Sequence, residues 1–392
     1  MTNKNNNFFT EQKNWSKRKL AIAQAYLASF TKILGSSFSQ SCVFYVDGFA
    51  GTGIYEDGSK GSALLAAELA QKYSDQQKTY KLFCINVEAS KNNFNNLVDA
   101  TKELCDFLTN MYGTFSENIP EILDRISNCP AYFFIDPFGV SGADWIDMEK
   151  IIKRQEPTDL WLRFDHKTVR RLSGFFDSGS RGAESKIKKL VDLYGINDEE
   201  SLYNKLDGET PEIRIENAVR LYSDILETEI KKFKQFSFSA YYPIVSLQGQ
   251  NKYYLVFAAS HPIAVILASE TIYSVERNRP KEVEEYQQKK TGQMLLLSTE
   301  PSEDELSVFI ANNLSQDIWE MCKGKQLSRQ DIYINLLKLY KGKWFGRFSG
   351  SHFNRALKTL EEETDPRIIN RTEARSKNQS LFTFKQNGTS VL

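Results

Sequence analysis

Short hydrophobic runs recur along the first half of the chain, and each ends at a polar residue or a glycine-rich turn. They predict strands at about residues 42–46 and 81–87, a short strand ending near Tyr112, a strand ending at Asp136, and a strand at 159–164. Apolar residues at helical spacing predict the intervening helices, at 15–34, 63–73, 90–108, 119–126 and 145–153. This alternation predicts right-handed βαβ crossovers and a parallel sheet.

After the fifth strand the regular alternation stops. Residues 170–234 are charged and predicted to be mostly helical, as an insertion that covers the active-site side of the sheet. Strands resume at 241–247 and 253–258, with Gly249 in the turn between them, which predicts an antiparallel hairpin. Such a hairpin closing a parallel sheet is typical of methyltransferases that use S-adenosylmethionine (SAM), and it fits a dinucleotide oxidoreductase poorly. The predicted fold is therefore α/β, a Rossmann-like SAM methyltransferase core with a helical insertion.

The last part of the chain predicts a second domain. Ser302 and Glu305 have the spacing of a capping box, which begins a helix that runs to about Met321. Two more helices and a hairpin follow, at 329–340, 349–360, 368–370 and 380–384. Helices followed by a two-stranded wing predict a C-terminal winged helix-turn-helix. The predicted domain organisation is a methyltransferase-like domain, a polar linker and a winged-helix domain, at 1–278, 279–301 and 302–392.

Charge is balanced overall but not locally. The 392 residues include 50 lysine and arginine and 50 aspartate and glutamate residues, so the formal net charge is zero. Residues 321–392 differ, because 14 are basic and 6 are acidic, a net charge of +8. On the predicted recognition helix and wing, the basic residues suited to phosphate contacts are Arg347, Arg355, Lys358, Arg371, Arg375 and Lys377. Many winged helices bind proteins instead, so the alternative of a protein partner stays open.

The cysteines and the chain start set further bounds. Five cysteines are scattered without a Cys-x-x-Cys pair, and Cys42, Cys84 and Cys129 lie in or beside hydrophobic runs. We therefore expect neither a metal site nor a disulfide framework. The start is polar and no uninterrupted apolar stretch reaches the length of about 18 residues that spans a membrane, which predicts a cytoplasmic protein.

Candidate cofactor residues follow the first two strands. The first ends in Asp47-Gly48-Phe49-Ala50-Gly51-Thr52-Gly53, an acid beside glycines that let the backbone approach a nucleoside cofactor. Glu88 ends the second strand, and its carboxylate can accept hydrogen bonds from both hydroxyls of a ribose. The predicted cofactor-binding residues are Asp47, Gly48, Phe49, Ala50, Gly51, Gly53 and Glu88.

Each of these features also has a structural interpretation. A single glycine-rich turn is a weak signal, because it can serve only the packing of a helix against a strand. Glu88 can instead cap the helix that begins at Ser90.

The fourth strand ends in the predicted catalytic residues, Asp136, Pro137 and Phe138. Amino-group methyltransferases place Asp-Pro-Pro-aromatic or a close variant here. The acid and a following carbonyl accept hydrogen bonds from the target amine, and the ring stacks on the base. Catalysis then depends mainly on positioning of the target. This chain has one proline with the aromatic residue directly after it. A turn that only seals the cofactor pocket is the alternative.

Charged residues after the fifth strand lie at the same predicted edge of the sheet. They can contact a phosphate or carboxylate of a substrate, or be solvated loop charges, and they are Arg163, Asp165, His166 and Lys167. Arg170 and Arg171 form a weak basic pair, and His261 before Pro262 is expected to be structural.

Residues 47–53 with the later Gly61-Ser62, and residues 134–139, resemble the three-Cys-motif partner protein family. Lys17 and residues 253–258 before His261-Pro262 are also similar to that family. The resemblance covers roughly residues 15–275 and is weaker through the insertion. It implies a bacterial or phage-associated protein with a Rossmann-like methyltransferase fold, SAM as cofactor, and a separate partner that carries the three-Cys motif and is similar to radical-SAM enzymes. By analogy, the pair modifies nucleic acid or acts in conflict with mobile elements.

Two hypotheses of function follow. The leading one is a SAM-dependent methyltransferase that acts on a base nitrogen of RNA or DNA, with a paired base extruded to reach the site. The alternative is a non-catalytic scaffold or SAM-sensing module that recruits the three-Cys-motif partner to nucleic acid.

Overall fold

The computed structural model describes residues 13–37, 42–104, 106–176, 182–291 and 302–386. The chain divides into two compact units, Met1–Ala264 and Val265–Leu392. No helix in the described part of the chain is long and apolar enough to cross a membrane.

The first unit alternates helices and strands up to its fifth strand. In chain order these elements are α1 (Asn14–Ser37), β1 (Cys42–Asp47), α2 (Ser62–Asp75), β2 (Lys81–Glu88), α3 (Lys91–Thr101), β3 (Leu108–Tyr112), α4 (Phe115–Ile126), β4 (Ala131–Ile135), α5 (Trp145–Ile152) and β5 (Thr158–Phe164). The helix predicted at 90–108 is shorter than expected, because Leu108 already begins β3. The helix predicted at 119–126 begins earlier, at Phe115, where Thr114 and Glu117 form a capping box.

The remaining elements of this unit are four helices and a hairpin, α6 (His166–Ser173), α7 (Ala183–Tyr194), α8 (Glu199–Leu206), α9 (Pro211–Phe233), β6 (Phe238–Val245) and β7 (Asn251–Ala259). Helix α10 (Pro262–Glu276) follows the hairpin. The sheet order is β3-β2-β1-β4-β5-β7-β6. Strands β1 to β5 pair in parallel, whereas β7 is antiparallel to β5 and to β6. The predicted mostly parallel sheet with a terminal antiparallel hairpin is confirmed, and it fits a Rossmann-like methyltransferase core.

The central strands are buried because helices cover both faces of the sheet. Every residue of β4 is buried, as expected for a parallel strand whose sequence is a continuous apolar run. The predicted insertion is helical, and α9 packs against β6 and β7 on one face of the sheet. Tyr194 and Tyr222 from the insertion join Phe164 of β5 in the main hydrophobic core. The insertion therefore packs against one face of the sheet.

One disulfide contradicts the expectation drawn from the cysteines. Cys42, at the start of β1, bonds to Cys129, which lies two residues before β4. The two strands are neighbours, and their register places these cysteines side by side, with Cα atoms 6.1 Å apart. Their separation of 87 positions in sequence concealed this proximity. Cys84 and Cys322 are buried free thiols, and Cys105 lies outside the described residues.

The second unit contains helices and a small antiparallel sheet. Its elements after α10 are α11 (Arg279–Thr291), α12 (Glu303–Cys322), β8 (Gln326–Ser328), α13 (Arg329–Leu339), α14 (Lys341–Trp344), α15 (Gly350–Glu362), β9 (Ile368–Thr372) and β10 (Leu381–Phe384). The sheet order is β8-β10-β9, so a third strand joins the predicted hairpin. The predicted capping box of Ser302 and Glu305 is present. Within the segment predicted as a linker, residues 279–291 are helical and 292–301 lie outside the described residues.

A buried acid ties α1 to the amino-terminal end of β5. The Tyr26 hydroxyl donates a hydrogen bond of 2.6 Å to Asp159. Tyr26 also packs edge-on against Tyr132 and Trp161. Burial among these rings raises the pKa of Asp159 to about 7, because the charged form loses its hydration.

We predict that Asp159 makes folding stability fall as pH rises from about 4 to 7. The folded state holds the proton up to its raised pKa, whereas the unfolded chain releases it near 3.8, so stability is greatest below the lower value. The slope is up to ~1.4 kcal/mol per pH unit. Asp159→Asn removes this contribution and stabilises the protein at pH 8, as measured by urea unfolding at several pH values. Asp75→Asn, on the surface, is the matched control, and an unchanged slope in Asp159→Asn would contradict the prediction.

Candidate functional site

The turn after β1 is built around a buried carboxylate. Asp47 is 0 % exposed, and its Oδ1 accepts a hydrogen bond of 3.1 Å from the Phe49 amide. Its Oδ2 accepts one of 3.2 Å from the Tyr45 hydroxyl. The Ser62 side chain, at the first residue of α2, also hydrogen-bonds to Asp47. Three donors thus hold the carboxylate at the carboxyl end of β1.

The glycines of this turn have clear packing roles. Gly51 and Gly53 adopt positive φ angles of 67° and 75°. A Cβ on Gly53 would lie 3.1 Å from the Cβ of Ala100, and one on Gly48 would lie 2.9 Å from Ile135 Cδ1. The turn therefore lies close against α3 and β4. The packing interpretation of the glycines is supported, and it leaves room for a ligand role of their backbone.

Glu88 contacts both the turn and the next helix. Its Oε2 accepts a hydrogen bond of 2.9 Å from the Gly51 amide, and its Oε1 accepts one of 2.7 Å from the Ser90 amide. The Ala50 amide meanwhile donates to the Val87 carbonyl. The structure thus brings together Asp47, the glycine turn and Glu88, as the sequence predicted. The hydrogen bond to the Ser90 amide also places Glu88 at the start of α3, as in the structural interpretation of this acid.

Asp136 lies beside two cations that come from distant parts of the chain. The Lys19 ammonium of α1 forms a hydrogen-bonded ion pair with Asp136 Oδ2. The Arg163 guanidinium at the end of β5 lies 3.8 Å from Asp136 Oδ1 and donates a hydrogen bond of 2.9 Å to the Pro137 carbonyl. Asp136 Oδ1 is buried and has no hydrogen-bond partner among the described residues. Phe138 is 56 % exposed beside this group, and Pro137 is buried.

Lys19 is the site residue that the sequence reasoning missed. Its side chain is buried, and burial lowers its pKa, while Asp136 and more weakly Asp47 oppose that change. A signal was present, since Lys19 lies one helical turn before Ala23 on the apolar face of α1. A lysine on the buried face of a helix needs an acidic partner.

The pKa of Asp47 is shifted in the opposite direction, upward. Burial raises its pKa to about 6, and the nearby Asp136 adds to this rise. Donors from Ser62, Phe49 and Tyr45 act against it. At this edge of the sheet, burial therefore disfavours the charged forms of both the Asp47 carboxylate and the Lys19 ammonium.

The residues after β5 divide into structural and exposed groups. Asp165 caps α6, because its side chain accepts hydrogen bonds from the Lys167 and Thr168 amides. His166 is buried rather than a solvated loop charge, and its ring packs edge-on against Tyr254, with centroids 5.4 Å apart. Burial lowers the pKa of His166 to about 4. Lys167 is exposed, as are Arg170 and Arg171 in the last turn of α6.

Two residues singled out earlier lie elsewhere in the unit. His261 is exposed, and its Nδ1 accepts a hydrogen bond of 3.2 Å from the Ile263 amide at the start of α10. This is the structural role expected for it. Lys17 is exposed on α1.

The six basic residues predicted for nucleic-acid binding are spread over the second unit. Arg355 and Lys358 lie on α15 and pair with Asp304 and Glu362. Arg371 on β9 pairs with Glu361 and Glu373. Arg347 precedes α15 instead of lying on it. Arg375 and Lys377 are exposed in the connection between β9 and β10. Acidic neighbours therefore reduce the positive charge of α15 more than that of the connection between β9 and β10.

Comparison with known proteins finds distant matches among solved structures. No protein-family model matches the chain, and no curated protein matches it. Similar solved structures include an O-methyltransferase from Bacillus cereus in complex with SAH, at 11% identity, with a TM-score of 0.33 and coverage of 61% of this chain and 80% of that chain. The O-methyltransferase TomG from Streptomyces achromogenes, in complex with SAM, is 10% identical, with a TM-score of 0.31 and coverage of 64% and 92%.

A geranyl diphosphate methyltransferase in complex with GPP and sinefungin is 13% identical, with a TM-score of 0.25 and coverage of 59% and 77%. All three TM-scores lie below 0.5. The fold assignment therefore rests on the strand order and pairing of the sheet.

We predict that Gly53→Ala destabilises the protein more than Gly58→Ala. Both glycines have φ near +75°, at 75° and 78°, so alanine meets a backbone cost of ~1–2 kcal/mol at either position. Only at Gly53 does the new methyl group crowd α3, since nothing lies within 4 Å of a Cβ at Gly58. Urea unfolding measures the difference, and equal losses of stability would show that the turn does not lie close against the helix.

Proposed function

We propose that this protein is a SAM-dependent methyltransferase that acts on a base nitrogen of nucleic acid. The observation that carries the proposal is the convergence of Asp47, Glu88 and Asp136. Asp47 and Glu88 are the last residues of β1 and β2 and Asp136 directly follows β4, so they lie at the carboxyl ends of three adjacent parallel strands. Crevices at the carboxyl ends of such strands are where open α/β sheets bind ligands.

The residues at this edge fit the proposed cofactor. SAM carries a positively charged amino-acid ammonium and a ribose with two hydroxyls, and it supplies a methyl group on a sulfonium. Asp47 would accept from the ammonium, and Glu88 would accept from the ribose while keeping its contacts to the Gly51 and Ser90 amides. Asp136 Oδ1 is buried and lacks a hydrogen-bond partner in the described part of the chain, which supports the presence of a ligand donor nearby.

The target would lie between Asp136 and Phe138. Asp136 Oδ1 would accept a hydrogen bond from the target amine, and the exposed Phe138 ring would stack on the base. The Pro137 carbonyl already accepts from Arg163, and its second lone pair remains for the target. Orientation of the amine lone pair toward the methyl group is then the main contribution of these residues.

The second unit would recruit the nucleic acid as a winged helix-turn-helix. The order of helices α12, α13 and α15 around the three strands β8, β9 and β10 supports this arrangement. Arg375 and Lys377, exposed in the connection between β9 and β10, are then the foremost candidates for phosphate contacts. A three-Cys-motif protein similar to radical-SAM enzymes is the proposed partner, on the resemblance of the sequence alone.

A second candidate function is a non-catalytic scaffold or SAM-sensing module. It is favoured by the occupation of Asp136 Oδ2 by Lys19 and of the Pro137 carbonyl by Arg163. Transfer of tritium from methyl-labelled SAM into a pool of RNA and denatured DNA would support the enzyme. Stable co-purification with a three-Cys-motif protein, without any turnover, would support the scaffold.

The cofactor proposal is tested by titration of the purified protein with SAM, S-adenosylhomocysteine (SAH) and NAD in a calorimeter. We expect SAM and SAH to bind and NAD not to bind, because the acids are placed for an amino-acid ammonium as well as a ribose. Asp47→Ala should abolish SAM binding without unfolding the protein, as checked by circular dichroism. Unchanged affinity in a folded Asp47→Ala variant would reject this site.

We further predict that SAM affinity depends on pH through Asp47. Its raised pKa of about 6 means that the carboxylate is protonated below that pH and no longer attracts an ammonium. Affinity should therefore fall up to about tenfold per pH unit below pH 6 and change little between pH 6.5 and 7.5. Asp47→Asn should bind weakly and with no such dependence. A wild-type profile that is flat from pH 5 to 7.5 would contradict the prediction.

A further inference from the structure

The Lys19 ammonium has hydrogen-bonding capacity that the protein leaves unused. It is only 5 % exposed, so water does not solvate it well. An ammonium has three N–H donors, and within the described residues Lys19 uses one, toward Asp136 Oδ2. Burial lowers its pKa, and the ion pair with Asp136 opposes that change.

The neighbouring cation, Arg163, has several partners, although its buried Nε has no hydrogen-bond partner among the described residues. Arg163 donates to the Pro137 carbonyl, lies 3.8 Å from Asp136 Oδ1, and stacks over the Tyr253 ring at 4.9 Å from its centroid. The Lys19 ammonium lies 5.8 Å from the ring centroids of Phe134 and Tyr253, and its charge interacts with those of both Asp136 and Asp47. A small anionic group is the chemistry that suits it.

The Asp47 carboxylate lacks an ion-paired partner of opposite charge among the described residues. Its carboxylate receives hydrogen bonds from a serine, a tyrosine and a backbone amide, yet among the described residues no lysine or arginine forms an ion pair with it. It is close enough to Lys19 for the two charges to interact. An α-amino acid carries an ammonium and a carboxylate two bonds apart through one carbon, so a buried acid and a buried ammonium near each other match it in both signs.

Building on the proposed function, we propose that Lys19 binds the carboxylate of the methionine part of SAM while Asp47 accepts its ammonium. Asp136 holds Lys19 in place from the other side. The first helix of the unit thus supplies a specificity-determining residue that distinguishes amino-acid-bearing nucleosides from plain ones. 5′-Methylthioadenosine, which keeps the adenosine and sulfur of SAM but lacks the amino-acid part, should not depend on Lys19.

The experiment compares SAH and 5′-methylthioadenosine by calorimetry on wild type, Lys19→Met and Lys19→Arg. A charged hydrogen bond in a buried site contributes roughly a 10- to 100-fold change in affinity. We expect Lys19→Met to lose that factor for SAH and to stay within about threefold of wild type for 5′-methylthioadenosine. Lys19→Arg should keep most of the SAH affinity, since it retains the positive charge.

Arg18→Met is the matched control, because Arg18 is the adjacent buried cation on the same helix and donates instead to the Val245 carbonyl. It should leave the ratio of the two affinities unchanged, and thermal melting checks that each variant is folded. Equal losses for both ligands in Lys19→Met, or no loss for SAH, would overturn the assignment of Lys19. A wild-type protein that binds neither ligand would overturn the proposed function itself.

Discussion

The burial of the Asp47 carboxylate at the end of the central strand β1 is the constraint on which the candidate site depends. A charge with no exposure to water must be held by donors or neutralised. The turn after β1 folds back so that the Phe49 amide reaches it, and Tyr45 and Ser62 complete the shell. That geometry fixes the start of α2 and the approach of the glycine turn to α3.

The same constraint explains why α1 belongs to the site although it precedes the sheet in sequence. Lys19 supplies a positive charge between the carboxylates that follow β1 and β4. Farther down the same helix, Tyr26 binds Asp159 at the opposite end of β5. Two polar contacts at the two ends of the strands thus hold α1 across the sheet, with its apolar residues packed between them.

The glycine turn packs closely against its neighbours. A Cβ on Gly48 would lie 2.9 Å from Ile135 Cδ1 and one on Gly53 would lie 3.1 Å from Ala100 Cβ, so a larger residue at either position would be crowded. In the same turn, the Gly51 amide donates a hydrogen bond to Glu88. In the second unit, ion pairs with acidic side chains reduce the positive surface charge that the basic sequence predicts.

The sequence by itself determined the order of strands and helices, the terminal hairpin and the acids at the strand ends. These depend on local periodicity and turn chemistry, which neighbouring residues carry. It did not reveal Lys19 beside Asp136, the bond between Cys42 and Cys129, or the burial of His166. Those were decided by the tertiary structure, because each depends on which strands lie side by side and where α1 crosses them. Contacts between residues 87 or 117 positions apart leave no periodic trace in a single chain.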